Sequence, residues 1–223
     1  MYSNRIDNEL IGILKRHSLL TFESQLNLKD ELEKRAIAVD TTHLENAISQ
    51  KLIEIKNLDY LKDFGFKAER NQDGITVRRT NKAMITDIVG IILGVFVFLV
   101  GIYGCINLVL TFMNGDELDV FTLGYKFAMA ALVFIGISFF SGLKRLFDYT
   151  GFELSNRSGT ITLKKRFDVS LEEIKATASD IFLDSEEDTL YLKLGNQTIF
   201  TSNADNLIQT ITLKELTKEL KRI

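Results

Sequence analysis

Two long runs free of charged side chains dominate the hydrophobic pattern. The first, IVGIILGVFVFLVGIYGCINLVLTF, covers 88–112, and the second, FAMAALVFIGISFFSGL, covers 127–143. At 1.5 Å per residue the first reaches roughly 38 Å, more than the ~30 Å hydrocarbon core of a bilayer, and so predicts a tilted transmembrane helix. The second is 17 residues long, near the short limit, and extends outward through Leu123, Gly124 and Tyr125. Lys126 is expected to snorkel to the interface. Small residues recur along both runs at alternating spacings of four and three: Gly90, Gly94, Val97, Gly101 and Gly104 in one, Gly124, Ala128, Ala131, Ile135, Ser138 and Gly142 in the other. Each series makes one helical seam where backbones can approach closely, facing the other span or another subunit. Asn107, the strongly polar residue in mid-span, is expected to hydrogen-bond across helices.

The segment before the runs is helical in period. Ile6, Leu10, Ile13 and Leu14 line one helix face, and Leu26, Leu28, Leu32 and Ala36 suggest a second. Thr41 or Thr42 is placed to cap a third, with Glu45 completing a capping box from Thr42 and Leu44, Ile48, Leu52 and Ile55 on its apolar face. That helix continues or restarts through Leu58 and Leu61 to Phe64 and stops at Gly65. FKAERNQDGITVRR then reads as a β-hairpin turning at Asp73-Gly74. Three helices and a hairpin superficially resemble a winged-helix domain. Residues 1–83, however, carry 14 Lys and Arg against 13 Asp and Glu, and the third helix mixes Glu45 and Glu54 with Lys51 and Lys56. Nucleic acid is therefore not an expected partner.

After the runs the period shortens to two. FDYTGFEL alternates, SNRSG turns, TITLKKRF alternates again, and VSLEEIKATASDIFLD supplies one or two further strands. SEED is a turn, and TLYLKL and QTIFT flank a two-residue Gly195-Asn196 turn. A closing helix, opened by Asn203 or Asp205, carries Leu207, Ile211, Leu216 and Leu220. A transmembrane hairpin followed by about six short strands and a terminal helix resembles the bacterial pleckstrin-homology-like membrane proteins. FELSNRSGTITLKKRF, the SLEEI segment, DTLYLKLGNQTIF and the closing helix carry that resemblance, which spans the last third of the chain and the two runs. It implies a PH-like domain that binds or oligomerises and does not catalyse.

The expected fold class is thus an α+β membrane protein with an N-terminal cytoplasmic helical domain and β-hairpin (1–83), transmembrane helix 1 (84–113) and a short external acidic loop (114–122). Transmembrane helix 2 (123–143) and a C-terminal, β-rich, PH-like cytoplasmic domain with its closing helix (144–223) complete it. Charge sets the orientation. Lys67, Arg70, Arg78, Arg79 and Lys82 precede the first run and Lys144, Arg145 and Arg157 follow the second, while Asp116, Glu117 and Asp119 lie between them. The positive-inside rule then places both termini in the cytoplasm, in the inner membrane of a cell. Leu10 to Leu14 is too short for the apolar core of a signal peptide, so the later runs are expected to direct insertion.

Composition narrows the chemistry. Net charge is −3, Pro and Trp are absent, and Cys105 is the single cysteine, so no disulfide or Cys-based zinc site can form within one chain. Without Trp, Tyr103, Tyr125 and Phe must anchor the interface. The sequence lacks G-x-x-x-x-G-K-[ST], G-x-S-x-G and H-E-x-x-H, and it offers no catalytic, cofactor or metal site residues. His17 and His43 stand apart from any carboxylate or cysteine cluster. Asp184, Glu186, Glu187 and Asp188 lack calcium-loop spacing and read as a solvated turn. Lys164, Lys165 and Arg166 form a basic cluster, either a solvated strand edge or a contact to lipid headgroups, and Arg78, Arg79 and Lys82 are expected at anionic headgroups. The expected function is a non-catalytic, membrane-anchored adaptor or scaffold. The alternative is an oligomeric membrane-perturbing effector or channel of the defence or toxin-immunity type. Expected partners are the bilayer with its anionic headgroups, a protein, and further copies of the chain. No cofactor is expected.

Overall fold

The computed structural model describes residues 1–72, 74–114, 119–139, 141–167 and 170–222. Seven α-helices lie among them, with two antiparallel sheets, so the protein is α+β. Helices α1 (Asp7–Leu14), α2 (Phe22–Lys34) and α3 (Thr42–Lys56) come first, then a 3-10 segment at Asp59–Phe64 and strands β1 (Phe66–Asn71) and β2 (Gly74–Arg79). Helices α4 (Asn81–Asn114), α5 (Val120–Phe139) and α6 (Ser141–Tyr149) follow. Strands β3 (Glu153–Arg157), β4 (Thr160–Phe167), β5 (Ser170–Thr177), β6 (Ile181–Glu186), β7 (Thr189–Leu194) and β8 (Gln197–Asn203) then lead to α7 (Leu207–Leu220). One sheet runs in the order β1-β2-β3-β4-β5, the other β6-β7-β8.

The chain divides into two compact units. The first comprises Met1–Val77, Ser155–Ile161 and Lys175–Ile223, the second Arg78–Leu154 and Thr162–Ile174. In the first unit the apolar faces of α1, α2 and α3 meet in a core built on Leu10, Leu28, Leu32, Leu44 and Ile55, which Leu207, Ile208 and Ile211 of α7 close. The sequence reading keeps the N-terminal helices apart from the C-terminal part. The structure lays α7 directly on them, and Phe200 of β8 meets Phe66 edge-on at 4.8 Å. Periodicity marks which face of a helix is apolar, but it cannot say which distant segment will cover that face.

Local chemistry explains the element ends. Thr21 caps α2, its hydroxyl accepting from the Ser24 amide. The capping box expected at Thr42 does not form. Thr41 stands at the N-cap of α3, the Asp40 carboxylate accepts from the Thr42 amide at 2.9 Å, and the Thr41 hydroxyl donates to Glu45 at 2.7 Å. An Asp two residues upstream reaches the free amide without distorting the helix start, and it wins. Asn206, rather than Asn203 or Asp205, caps α7 through the Gln209 amide. The two-residue turn at Gly195-Asn196 forms as expected, with Gly195 at φ +55° and β7 pairing with β8 from Leu194 opposite Gln197 to Thr189 opposite Asn203. Asp73, half of the other expected turn, lies outside the described residues. Gly74 beside it has φ +142°, and a Cβ there would fall 2.0 Å from the Asn156 carbonyl oxygen, so only glycine fits.

Tyr60 supplies a pH-dependent element of this unit. Its hydroxyl donates to the Glu54 carboxylate at 2.7 Å, and burial with this bond pushes its pKa up to about 12, while the same bond holds Glu54 below its ordinary value. A phenol whose folded pKa is raised stabilises the fold below the unfolded value near 10 and loses that contribution as pH climbs toward 12. Melting temperature should therefore fall between about pH 10 and 12 in the native protein. Tyr60→Phe should flatten that decline and cost about 1 kcal/mol at neutral pH. Thermal melts across the alkaline range check this, and parallel curves for both proteins would refute it.

Candidate functional site

In the second unit, α4 and α5 pack as an antiparallel hairpin. Both are long and apolar enough to cross a membrane, α4 over Asn81–Asn114 and the second over Val120–Tyr149. A cap formed by Thr80, whose hydroxyl accepts from the Ala83 amide, begins α4 seven residues before the apolar run. The helix therefore carries Asp87 into its second turn. There Asp87 is 3% exposed.

Two guanidinium groups engage this carboxylate. Arg145 of α6 donates to Oδ1 from Nη2 at 2.6 Å and from Nε at 3.0 Å, and Arg79, at the end of β2, donates to Oδ2. The Arg79 side chain is buried, while that of Arg145 is 61% exposed. The Arg79 guanidinium also lies 5.1 Å from the centre of the Tyr149 ring, with the Lys165 ammonium 5.5 Å from the same centre. Each oxygen thus has its own guanidinium, and the excess positive charge is met by an aromatic face. The arrangement fastens β2, α4 and α6 together at the base of the hairpin.

Arg78 and Arg79 both make contacts within the protein. Arg79 turns inward to Asp87, and Arg78 grips one oxygen of Glu153 with two donors at 2.7 and 2.9 Å. Lys164, from the basic cluster, lies 3.7 Å from Glu173 and 4.0 Å from Glu153. Glu153 is 75 positions from Arg78 along the chain, which hides that pairing from a linear reading.

Along the hairpin the seam of α4 packs as expected, from Gly94 onward. A Cβ on Gly94 would lie 2.5 Å from Phe139 Cβ, one on Gly101 2.3 Å from the Val133 amide nitrogen, and one on Gly104 2.6 Å from the Met129 carbonyl carbon. Gly90 has nothing within 4 Å. The small-residue seam expected on α5 is not the face that meets α4. Ala128, Ala131, Ile135 and Ser138 are exposed, and Gly136 instead takes the close contact, against Phe98. Gly136, Val133 and Met129 form a parallel row one position round the helix, and depth of contact rather than smallness alone selects it.

The polar residue in mid-span also departs from expectation. Asn107 donates within its own helix to the Tyr103 carbonyl at 3.0 Å, not across to α5. Lys126 donates to the Thr111 hydroxyl, which itself donates to the Asn107 carbonyl. Cys105 is half-buried, with Sγ 3.9 Å from the Ala130 carbonyl oxygen. Asp116 and Glu117 of the acidic loop lie outside the described residues.

The remaining candidates stand in the first unit. His17 and His43 stack at 6.4 Å, with His17 Nδ1 3.1 Å from the Leu14 carbonyl oxygen. Asp184 pairs with Lys193 at 2.6 Å, which lowers the carboxyl pKa and raises that of the ammonium. Among the described residues no group of three or more His, Cys, Asp or Glu side chains is placed to hold a metal ion. Asp87 is the residue that sequence reasoning missed. An acid abutting an uncharged run, with arginines on both flanks, is the signal that marks it. Comparison with protein-family models, curated proteins and solved structures finds no match to this chain.

Proposed function

We propose that the protein is a two-pass membrane protein whose α4 and α5 cross the bilayer, with both termini in the cytoplasm, and that its sheet-bearing parts act as a non-catalytic, PH-like adaptor or scaffold. The observation that carries the membrane reading is the exposure of the hairpin. The most apolar window of α4 is 17% buried and that of the second helix 6%. A core helix of a water-soluble protein would be covered, whereas Phe96 and Phe134 stand 65% and 77% exposed. Burying such side chains in lipid is worth about 1.5–3 kcal/mol each. The doubly paired Asp87 fits the same reading, since a carboxylate near hydrocarbon requires its charge to be met. Six strands, β3 to β8, followed by α7 support the PH-like resemblance. The distribution of Lys and Arg supports the orientation.

Cysteines introduced singly at Asn114 and Ser185 in a Cys105→Ala background test the topology. In intact cells an impermeant thiol reagent should label the Asn114 site alone. Labelling at Ser185 would overturn the arrangement. For the adaptor role, exchanging α4 and α5 for an unrelated two-pass hairpin should leave the proteins that co-purify from membranes unchanged. A conductance in planar bilayers that Asn107→Leu abolishes with folding intact would replace this reading with that of a channel.

A further inference from the structure

The C-terminal ends of α3 and α7 converge in the first unit on a concavity of about 750 Å³, lined by Lys56, Lys214, Lys218, Lys221 and Arg222 with Glu215, Glu219 and Leu183. An adjoining hollow of about 490 Å³ shares Glu219 and Arg222 and adds Arg70. Six basic side chains therefore face two acidic ones, on a chain whose net charge is −3. Local concentration of one sign in a concave surface raises the local concentration of ions of the other sign.

Basic residues at a helix C-terminus have an ordinary role, complementing the helix dipole, and two converging termini amount to about one negative charge. That role does not consume these groups. Three carbonyls at the two ends are already met by other groups: Lys56 O accepts from Arg70 at 2.6 Å, and Leu220 O and Arg222 O accept from the buried Asn156 amide at 2.8 and 3.1 Å. The acids are occupied as well. Glu219 lies 3.3 Å from Arg70 and 3.7 Å from Arg222, and Glu215 lies 3.7 Å from Lys218. Among the described residues, Lys56, Lys214 and Lys221 have no carboxylate partner. Lys214, Lys218 and Lys221 recur at four and three positions, so their stems rise from one face of α7 over roughly 10 Å.

We propose that this concavity binds a ligand bearing two or more phosphate groups. A single carboxylate cannot bridge a row of ammonium groups of that length, whereas phosphates in series can. Arg70 and Arg222 add planar donor forks suited to phosphate oxygens. The volume is that of a small-molecule site. The phosphates belong either to a soluble molecule or to a lipid headgroup, and the experiment separates the two.

The test uses the full chain in phosphatidylcholine nanodiscs, with inorganic tripolyphosphate as the calorimetric probe. Saturable binding that weakens with added salt is expected. Lys56→Gln, Lys214→Gln and Lys221→Gln combined should weaken it at least tenfold with an unchanged circular dichroism spectrum, while Lys34→Glu on α2 leaves it unaltered. The corresponding triple Glu variant should abolish it. In nanodiscs containing an anionic phosphoinositide, a tenfold or greater loss of tripolyphosphate affinity assigns the phosphates to a headgroup. Unchanged affinity there assigns them to a soluble ligand. Absence of saturable binding up to millimolar probe, or equal affinity in the native and triple-Gln proteins, overturns the proposal.

Discussion

Asp87→Ala should be among the most damaging single polar substitutions in this chain, lowering stability by about 3–5 kcal/mol, the usual cost of removing one partner from a buried ion pair. The reason is the environment of Arg79. Its side chain is 8% exposed, and it would keep its charge in a site that no longer holds the carboxylate at Oδ2. Arg145→Ala removes two donors from the same carboxylate, yet Arg145 is 61% exposed and Arg79 remains in place. That variant should cost only about 1 kcal/mol, the range of exposed pairs. A third variant separates charge from packing. Asp87→Leu combined with Arg79→Met replaces the ion pair by apolar groups of similar reach and should recover much of the loss, because both desolvated charges disappear together. Thermal unfolding in detergent measures all three. An Asp87→Ala melting temperature equal to that of the native protein would show that the clasp contributes nothing to the hairpin.

The second large effect is expected at Gly101. A methyl group there would stand 2.3 Å from the Val133 amide nitrogen and 2.8 Å from the Leu132 carbonyl carbon, and backbone cannot rotate aside as a side chain can. Gly101→Ala should therefore cost about 1–3 kcal/mol by overpacking, and Gly101→Leu should separate α4 from α5. Gly90→Ala and Gly124→Ala are the controls. Neither position has anything within 4 Å, so each should be neutral or mildly stabilising, since Ala favours a helix over Gly by up to about 1 kcal/mol. Ala131→Leu should likewise leave the hairpin intact, because Ala131 is exposed, whereas the sequence seam alone equates it with Gly101. The single native thiol reports the outcome. Cys105 sits between the helices beside Ala130, and a maleimide dye should react with it faster only when the hairpin opens. Equal labelling rates in the Gly101→Leu and native proteins would sink the close-packing account.

Much of the architecture follows from local pattern. Amphipathic period located α1 to α3, alternation located the later strands except over 147–149, which belongs to α6 rather than to a strand, and Gly195-Asn196 located a turn, because each depends on residues a few positions apart whose side chains share a face or a dihedral preference. The apolar runs located α4 and α5 for the same reason: length and absence of charge are properties of contiguous sequence. Caps were less legible. Asp40, Thr41 and Thr42 can all reach the start of α3, and geometry at the scale of one hydrogen bond chooses among them.

Partnership across long separations was decided by the tertiary structure alone. Asp87 and Arg145 are 58 positions apart, Arg70 and Glu219 149, and nothing in either neighbourhood names the other. The same holds for the row of Lys214, Lys218 and Lys221, which reads as a solvated helix face until Lys56 and Arg70 arrive beside it. In the hairpin, both helices carry a small-residue seam, but closeness depends on which rows interlock in space, and that selected Gly94, Gly101, Gly104 and Gly136 over Ala128 and Ala131. Sequence alone thus determined most of the helices and strands and their apolar faces, α6 excepted, through short-range dihedral and hydrophobic preference. Burial and charge pairing, which act through space between distant segments, determined the clasp, the basic concavity and the packed seam.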